Sequence, residues 1–347
     1  MRFGIWTPLP HTIRPEKTMI EAVEQARQSG SPPYEDKAFA MAKAIIAEAE
    51  RLGFEMTLIA QRYRGLDLDA WMLASALAAV TKKIHFMIAV HPGLIPPETA
   101  AKMGASIDRI SGGRFCLNVV NGWYQKEFED FSGRWLDKSD ARYRRTKEFI
   151  EVLRGVWEND SFDFKGEYYT ADQASVPLKP AQTFPHIYAA SMSTQGKEII
   201  AALCDACFIT HGGELSPRDS FEEKFTAVQR EMESLNAMSK RSNRTLRFGG
   251  SAHVILEVSE EKALQIADDL VAYGLKERYN RSVATSLGFG LVGTPEMVKE
   301  RLHRYQELGI DFWMLHFHPM SDGMLKFANE IMPDFLTHND SMEDQTA

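Results

Sequence analysis

Eight short runs rich in β-branched and aromatic residues alternate with eight long amphipathic stretches in this chain, and that alternation restricts the fold more than any other feature. The strand-like runs cover residues 3–8, 55–60, 84–90, 114–120, 186–190, 206–210, 248–256 and 312–317. Helical patterns fill the intervals at 37–52, 69–81, 98–110, 142–158, 194–204, 218–239, 260–274 and 295–308. Near-continuous apolar strands are those covered on both faces, which parallel strands with crossover helices achieve. Boundary signals agree with the pattern. Gly53 stops the first helix, and Thr294-Pro295-Glu296 supplies a cap, a first-turn proline and an acid to the last. The α/β pattern predicts a (β/α)8 TIM barrel. A doubly wound open sheet is the alternative, and the lack of a Gly-rich dinucleotide turn after the first strand counts against it.

The reading gives one barrel domain over 1–337, with loop insertions at 10–35, 160–184 and 275–292 and a polar, disordered tail at 338–347. Within 160–184 a hairpin is expected, 162–164 against 168–170, turning at Lys165-Gly166. Long loops in a compact domain are lids or binding segments, so 10–35 and 275–292 are lid candidates.

A net charge of −8 argues against nucleic-acid or anionic-membrane partners, without excluding a local pocket for a small anion. No apolar run reaches the ~18 residues of a membrane span. The start, MRFGIWTPLPH, turns polar too soon for a signal peptide. Cys116, Cys204 and Cys207 make no disulfide framework, so the expected location is cytoplasmic. The Cys204–Cys207 pair closes a helix instead of opening one, which suits core packing better than redox chemistry.

Barrel enzymes work at the C-terminal ends of their strands. Here those ends carry Gln61 and Arg62, His91, Asn118, Ser191 to Thr194, His211, His253, and His316 with His318. Five histidines converge on one mouth. A metal site is weighed and set aside, because the first strand ends in Trp6-Thr7-Pro8 and offers no ligand. Ser191-Met192-Ser193-Thr194-Gln195-Gly196 leads from a strand into a helix, where free N–H groups and the helix dipole favour an anion; it is also a plain N-cap. Arg142 and Tyr143 open another helix and could complete an anion fork, or form a solvated face over a buried tyrosine.

The segments SGGRFCLNVVNGW at 111–123, Asp140-Ala141-Arg142-Tyr143, Phe164-Lys165-Gly166-Glu167-Tyr168-Tyr169 and Leu291-Val292-Gly293-Thr294-Pro295 together resemble the bacterial-luciferase-like flavin monooxygenases. Within that family the chain is most similar to the dimethylsulfone, alkanesulfonate and pyrimidine monooxygenases. The resemblance runs from the first strand to Phe335. It implies a (β/α)8 barrel, FMN used as FMNH2 with O2 as cosubstrate, a separate NAD(P)H-dependent flavin reductase, and a homodimer or homotetramer. By position it implies flavin contacts at Gln61, Arg62, Asn118, Glu127, Arg142, Tyr143 and Ser193, and an active-site histidine at His253.

Departures from the pattern bear on the substrate. Ser251 stands where the alkanesulfonate enzymes place an arginine, His211 replaces a tryptophan, and His318 a tyrosine. Losing a fixed positive charge favours a neutral small molecule, unless Arg281 or Arg247 takes over. His253, with His211 or His318, is expected to steer proton transfer. A deazaflavin-dependent oxidoreductase of the same fold and a non-catalytic flavin-binding protein remain as alternatives.

Overall fold

The computed structural model of the protein describes residues 1–10, 20, 21, 24, 36–122, 124–131, 133–211, 215–276 and 280–335. Most of the 10–35 lid candidate, the 338–347 tail, Trp123 and the Arg281 side chain lie outside the described residues.

Eight parallel strands close into a barrel. They are β1 (Arg2–Trp6), β2 (Met56–Ile59), β3 (His85–Val90), β4 (Phe115–Val119), β7 (Ile187–Ala189), β8 (Ala206–Ile209), β9 (Arg247–Leu256) and β11 (Ile310–Phe317). Each pairs with the next, β9 pairs with β11 and β11 with β1, and β8 pairs with β9 to close the ring. The period-2 alternation of strands sorts the side chains. Phe3, Ile5, Phe86, Ile88, Leu117, Val254 and Leu315 face the helices in the large outer core. Leu58, Met87, Cys116, Tyr188, Phe208, Phe312 and Met314 fill the barrel itself. Tyr188, Phe208 and Phe312 meet edge-on or tilted at 5.2–6.0 Å and plug the interior.

The outer helices are α1 (Lys37–Leu52), α2 (Ala70–Val80), α3 (Pro97–Ser111), α5 (Ser139–Glu158), α6 (Thr194–Leu203), α7 (Phe221–Arg241), α8 (Glu260–Lys276), α10 (Pro295–Leu308) and α11 (Met320–Glu330). Short helices α4 (Gln125–Asp130) and α9 (Asn280–Leu287) sit in the loops. Two boundaries moved for local reasons. Helix α7 begins after Ser220, whose side chain forms a capping box with Glu223, and not at 218. Helix α5 begins at Ser139 instead of 142. The sequence reading also counted α8 and α10 as two barrel helices and missed α11; in the structure both lie between β9 and β11, joined through α9 and the two-residue β10 (Val292–Gly293).

The hairpin in 160–184 is present with a different register. Strand β5 (Phe162–Lys165) pairs with β6 (Thr170–Ala174), Lys165 opposite Thr170. Tyr168 and Tyr169 belong to the turn, because the Glu148 carboxylate accepts the backbone N–H groups of Glu167, Tyr168 and Tyr169 at 2.8–3.0 Å. The loop that follows the hairpin is tied down by Asp108 of α3, fully buried, which accepts from Ala181 N, Gln182 N and Gln182 Nε2. Cys204 and Cys207 pack in the outer core, and burial pushes the Cys204 thiol up to about 12, so both are inert thiols.

Candidate active site

Three adjacent strands bring three rings into one column at the C-terminal end of the barrel. His253 pairs in register with His316, and Trp6 ends the next strand, β1. Trp6 stacks on His316 at 4.5 Å, and His316 stacks on His253 at 4.6 Å. Trp6 Nε1 donates to Ser251 Oγ at 3.0 Å, which locks the indole against the serine two residues before His253. Ala252 and Val254 point oppositely into the outer core. Alternation therefore places Ser251 and His253 on the axial side.

His253 is 8% exposed. Burial, and secondarily the charge of nearby His318, pushes its imidazole down to about 3, so the ring is neutral at physiological pH. His253 Nδ1 lies 2.5 Å from Ser286 Oγ on α9.

His211 was expected in the same mouth. In the structure it packs against α9, the helix that also meets His253. Its Nε2 lies 2.7 Å from the Thr285 carbonyl, its ring meets Phe289 edge-on at 4.9 Å, and its Nδ1 is buried with no hydrogen-bond partner among the described residues. A side chain on Gly288 would collide with the imidazole. The backbone of His211 has φ +42°, a left-handed conformation that costs a non-glycine residue about 1–2 kcal/mol. The docking onto Thr285 and Phe289 holds it there.

The anion cradle assembles around the start of α6. Ser193 caps the helix, its Oγ accepting from Gly196 N at 3.1 Å. Ser191 Oγ lies 2.7 Å from Tyr143 Oη and accepts from Ser193 N at 3.1 Å. The Tyr143 ring and Ser191 lie so close over Gly196 that any Cβ there would strike both. The cradle therefore exists only with glycine at this position. Arg142, expected beside Tyr143 as a fork, is engaged with residues 135–137. Its Nη1 donates to Leu136 O at 2.5 Å and Asp137 O at 3.1 Å, and its guanidinium covers the Trp135 ring at 4.5 Å. Those two bonds occupy Nη1, while Nε is buried without a hydrogen-bond partner among the described residues.

The other position-matched residues divide in two. Asn118 lies on the axial side of β4, 9% exposed, and makes no side-chain hydrogen bond among the described residues. Gln61, Arg62 and Glu127 are used internally. Gln61 Oε1 accepts from Ala70 N at 2.7 Å and its Nε2 donates to Asp69 Oδ2 at 2.9 Å, so it caps α2. Arg62 Nε pairs with Glu127 Oε1 at 3.1 Å, the side chains 9% and 1% exposed. Beside this pair an open cleft of about 590 Å³ is lined by Arg62, Tyr63, Arg64, Tyr124 and Phe131. His91 is fully buried and pushed down to about 4 by desolvation. Arg114, from the 111–123 segment, spends its guanidinium on the carbonyls of Ala78, Thr81, Ile84 and Ser111 at the opposite end of the barrel.

Sequence reasoning also raised Arg247 as a replacement cation. Arg247 starts β9, whereas the mouth lies at its far end, and it pairs with Asp311 at 2.8 Å. It cannot serve the mouth. Ser286 and Trp6 are the residues that the sequence reading missed. Trp6 carried a signal as the end of the first strand, but Ser286 sits in a polar stretch with no periodicity. Among the described residues no group of three or more His, Cys, Asp or Glu side chains is arranged to hold a metal ion, and no helix is long and apolar enough to cross a membrane.

The protein is a closed parallel barrel with a serine-capped helix start and an imidazole–indole column at the C-terminal end of its strands, and comparison with known proteins places it more narrowly. Residues 1–311 match the model of the luciferase-like monooxygenases, and the chain belongs to that family. It is 28% identical over 319 residues to the FMNH2-dependent dimethylsulfone monooxygenase of Pseudomonas putida, covering 82% of this chain and 85% of the relative. The solved structure of DmoA from Hyphomicrobium sulfonivorans superimposes with a TM-score of 0.68 at 18% identity, covering 96% of this chain and 87% of that one. An F420-dependent secondary alcohol dehydrogenase superimposes with a TM-score of 0.70 at 16% identity, covering 95% and 98%. At such identities these two report on fold alone.

Proposed function

We propose that the chain is a two-component monooxygenase that receives FMNH2 from a separate NAD(P)H-dependent reductase and uses O2 to oxygenate a small neutral sulfone or related organosulfur compound. The observation that carries this reading is the pairing of an anion cradle at α6 with a ring-lined mouth on β1, β9 and β11 in which His253 is neutral. The names of the relatives supply the cofactor and the sulfone.

The residues fit a flavin phosphate. Glycine at 196 lets the Ser191 hydroxyl and the Tyr143 ring close onto the start of α6, and the α6 N–H groups and Ser193 offer donors to a dianion. Asn118, with an uncommitted amide in the mouth, is placed to meet the polar edge of the ring system. When bound, reduced flavin supplies the two electrons that activate O2. The chain's part is orientation, exclusion of water and proton handling. Trp6, His316 and His253 form a flat wall for a small substrate. His253, neutral, offers a nitrogen lone pair. Helix α9 closes over His253 through Ser286 and over His211 through Thr285.

The neutral-substrate part rests on charge. Ser251 occupies the axial position beside His253, Arg247 lies at the wrong end, and Arg62 is paired with Glu127. An anionic sulfonate needs a fixed cation, and among the described residues this wall offers none. Reductase-coupled assays with dimethylsulfone against methanesulfonate test it. Turnover with the sulfone and none with the sulfonate is expected; the reverse preference overturns the substrate assignment.

A further inference from the structure

We propose that Ser286 is a positioning residue that holds His253 as its Nδ1–H tautomer, leaving Nε2 as the nitrogen that accepts a proton or hydrogen bond in the barrel mouth. Its catalytic consequence rests on the monooxygenase reading; the tautomer itself does not.

The argument is a count of one proton. Ser286 Oγ lies 2.9 Å from the Val283 carbonyl and 2.5 Å from His253 Nδ1. A hydroxyl has a single hydrogen and two lone pairs, and a carbonyl can only accept. The hydrogen therefore goes to Val283 O, one turn back on α9, and a lone pair of Oγ faces His253. Nδ1 must carry the hydrogen of the second bond. The opposite assignment would set the Ser286 oxygen and the Val283 carbonyl oxygen lone pair to lone pair at 2.9 Å. In a neutral imidazole with Nδ1 protonated, Nε2 is bare. Unlike His211 Nδ1, His253 Nε2 is not among the sealed polar atoms, and it makes no hydrogen bond among the described residues.

The same turn of α9 settles His211 the other way. Its Nε2 faces the Thr285 carbonyl at 2.7 Å, so Nε2 carries the hydrogen and Nδ1 is bare. Consecutive residues Thr285 and Ser286 thus fix two histidines in opposite tautomers, and a displacement of α9 would release both. Charge supports neutrality at His253: burial disfavours the imidazolium, as does the neighbouring His318. The hydrogen bond from a serine therefore chooses between two neutral forms and does not choose between neutral and charged.

The test reads the tautomer directly. The full chain, labelled with ¹⁵N at histidine and free of flavin and substrate, is examined by two-bond ¹H–¹⁵N correlation, with His253→Gln assigning the signal. The wild type should show His253 protonated at Nδ1. Ser286→Ala should move the population toward Nε2–H, and Ser286→Thr should restore the wild-type pattern. In reductase-coupled assays Ser286→Ala should lower product formation about 10- to 100-fold, the scale for removing the group that orients a functional imidazole. Flavin affinity should not change with it. A wild-type His253 protonated at Nε2, or a folded Ser286→Ala variant with an unaltered tautomer, overturns the proposal. If Ser286→Ala does not fold, the wild-type and Ser286→Thr spectra decide. Absence of oxygenase activity would leave the spectra interpretable, so the two readings fail separately.

Discussion

His253 and His316 lie face to face, ring centres 4.6 Å apart and planes 9° from parallel. Two imidazolium rings could not share that geometry, since like charges at this distance repel by several kcal/mol once water is excluded. At most one ring of the stack can be charged, burial keeps His253 neutral, and Trp6 covers the far face of His316. The column also joins three strands far apart in sequence, so the mouth is shaped only when the barrel closes.

Neutrality makes a prediction about stability. His253 is held at about 3 and His91 at about 4, both below the ordinary value near 6.5. Between pH 4 and pH 6.5 the unfolded chain binds protons that the folded chain refuses. Stability should therefore fall as pH drops through that window, and the histidine contribution to the slope should vanish above it. Each histidine contributes at most about 1.4 kcal/mol per pH unit. Urea midpoints of wild type and His91→Asn across pH 4–7 check this: the variant should show the shallower dependence.

His253→Ala should lower product formation by about 10²–10⁴, the range for losing a positioned acid–base group. Hydrogen peroxide released per reductant consumed should rise, because oxygen would still be reduced without transfer to substrate. Flavin affinity should change little, since the anion cradle is at α6. Measuring product, peroxide and Tm together is decisive: full coupling with a lowered Tm would make His253 a packing residue.

Gly196→Ala should damage the cradle at its tightest point. The added methyl meets Ser191 Oγ and the Tyr143 ring, and overpacking of this kind costs about 1–3 kcal/mol. Flavin affinity should fall more than Tm does. Ser193→Ala should cost about 1 kcal/mol of stability through the lost cap and also weaken flavin binding. Arg142→Ala, by contrast, should act through the 135–137 loop that it braces. Flavin titration of the three variants ranks them; a larger flavin loss at Arg142 than at Gly196 would relocate the anion site.

Glu127→Ala should destabilise the chain, because it removes the buried carboxylate that pairs with the Arg62 guanidinium. Removing both partners should cost less than the sum of the single changes, since the penalty lies in the unpaired charge. Chemical denaturation of the two single variants and the double variant measures it.

What the sequence disclosed follows from what is periodic. The eight strands and the outward or axial side of Ser251, His253 and His316 could be read because alternation is local. Ser193 as a cap and Gly53 as a stop were legible for the same reason. The fate of polar side chains was not. Arg142, Gln61 and Arg62 look alike as candidates in one dimension; only the fold shows Arg142 on the 135–137 backbone, Gln61 capping α2 and Arg62 paired to Glu127, 65 residues away in the chain. The contacts of His211 with Thr285 and Phe289 were not legible, because its left-handed backbone follows no strand alternation. Ser286 was invisible because its importance comes from a contact 33 residues away.

The central claim is that this chain oxygenates a substrate with reduced FMN that it does not itself reduce. Photoreduced FMN, supplied with ¹⁸O2 and dimethylsulfone and without any nicotinamide or reductase, tests it most directly. The account predicts one ¹⁸O atom in the product and, separately, no NAD(P)H oxidation by the isolated chain. Oxidation of FMNH2 at the rate seen without protein, with no labelled product from any sulfone, sulfonate or related organosulfur compound, would contradict it.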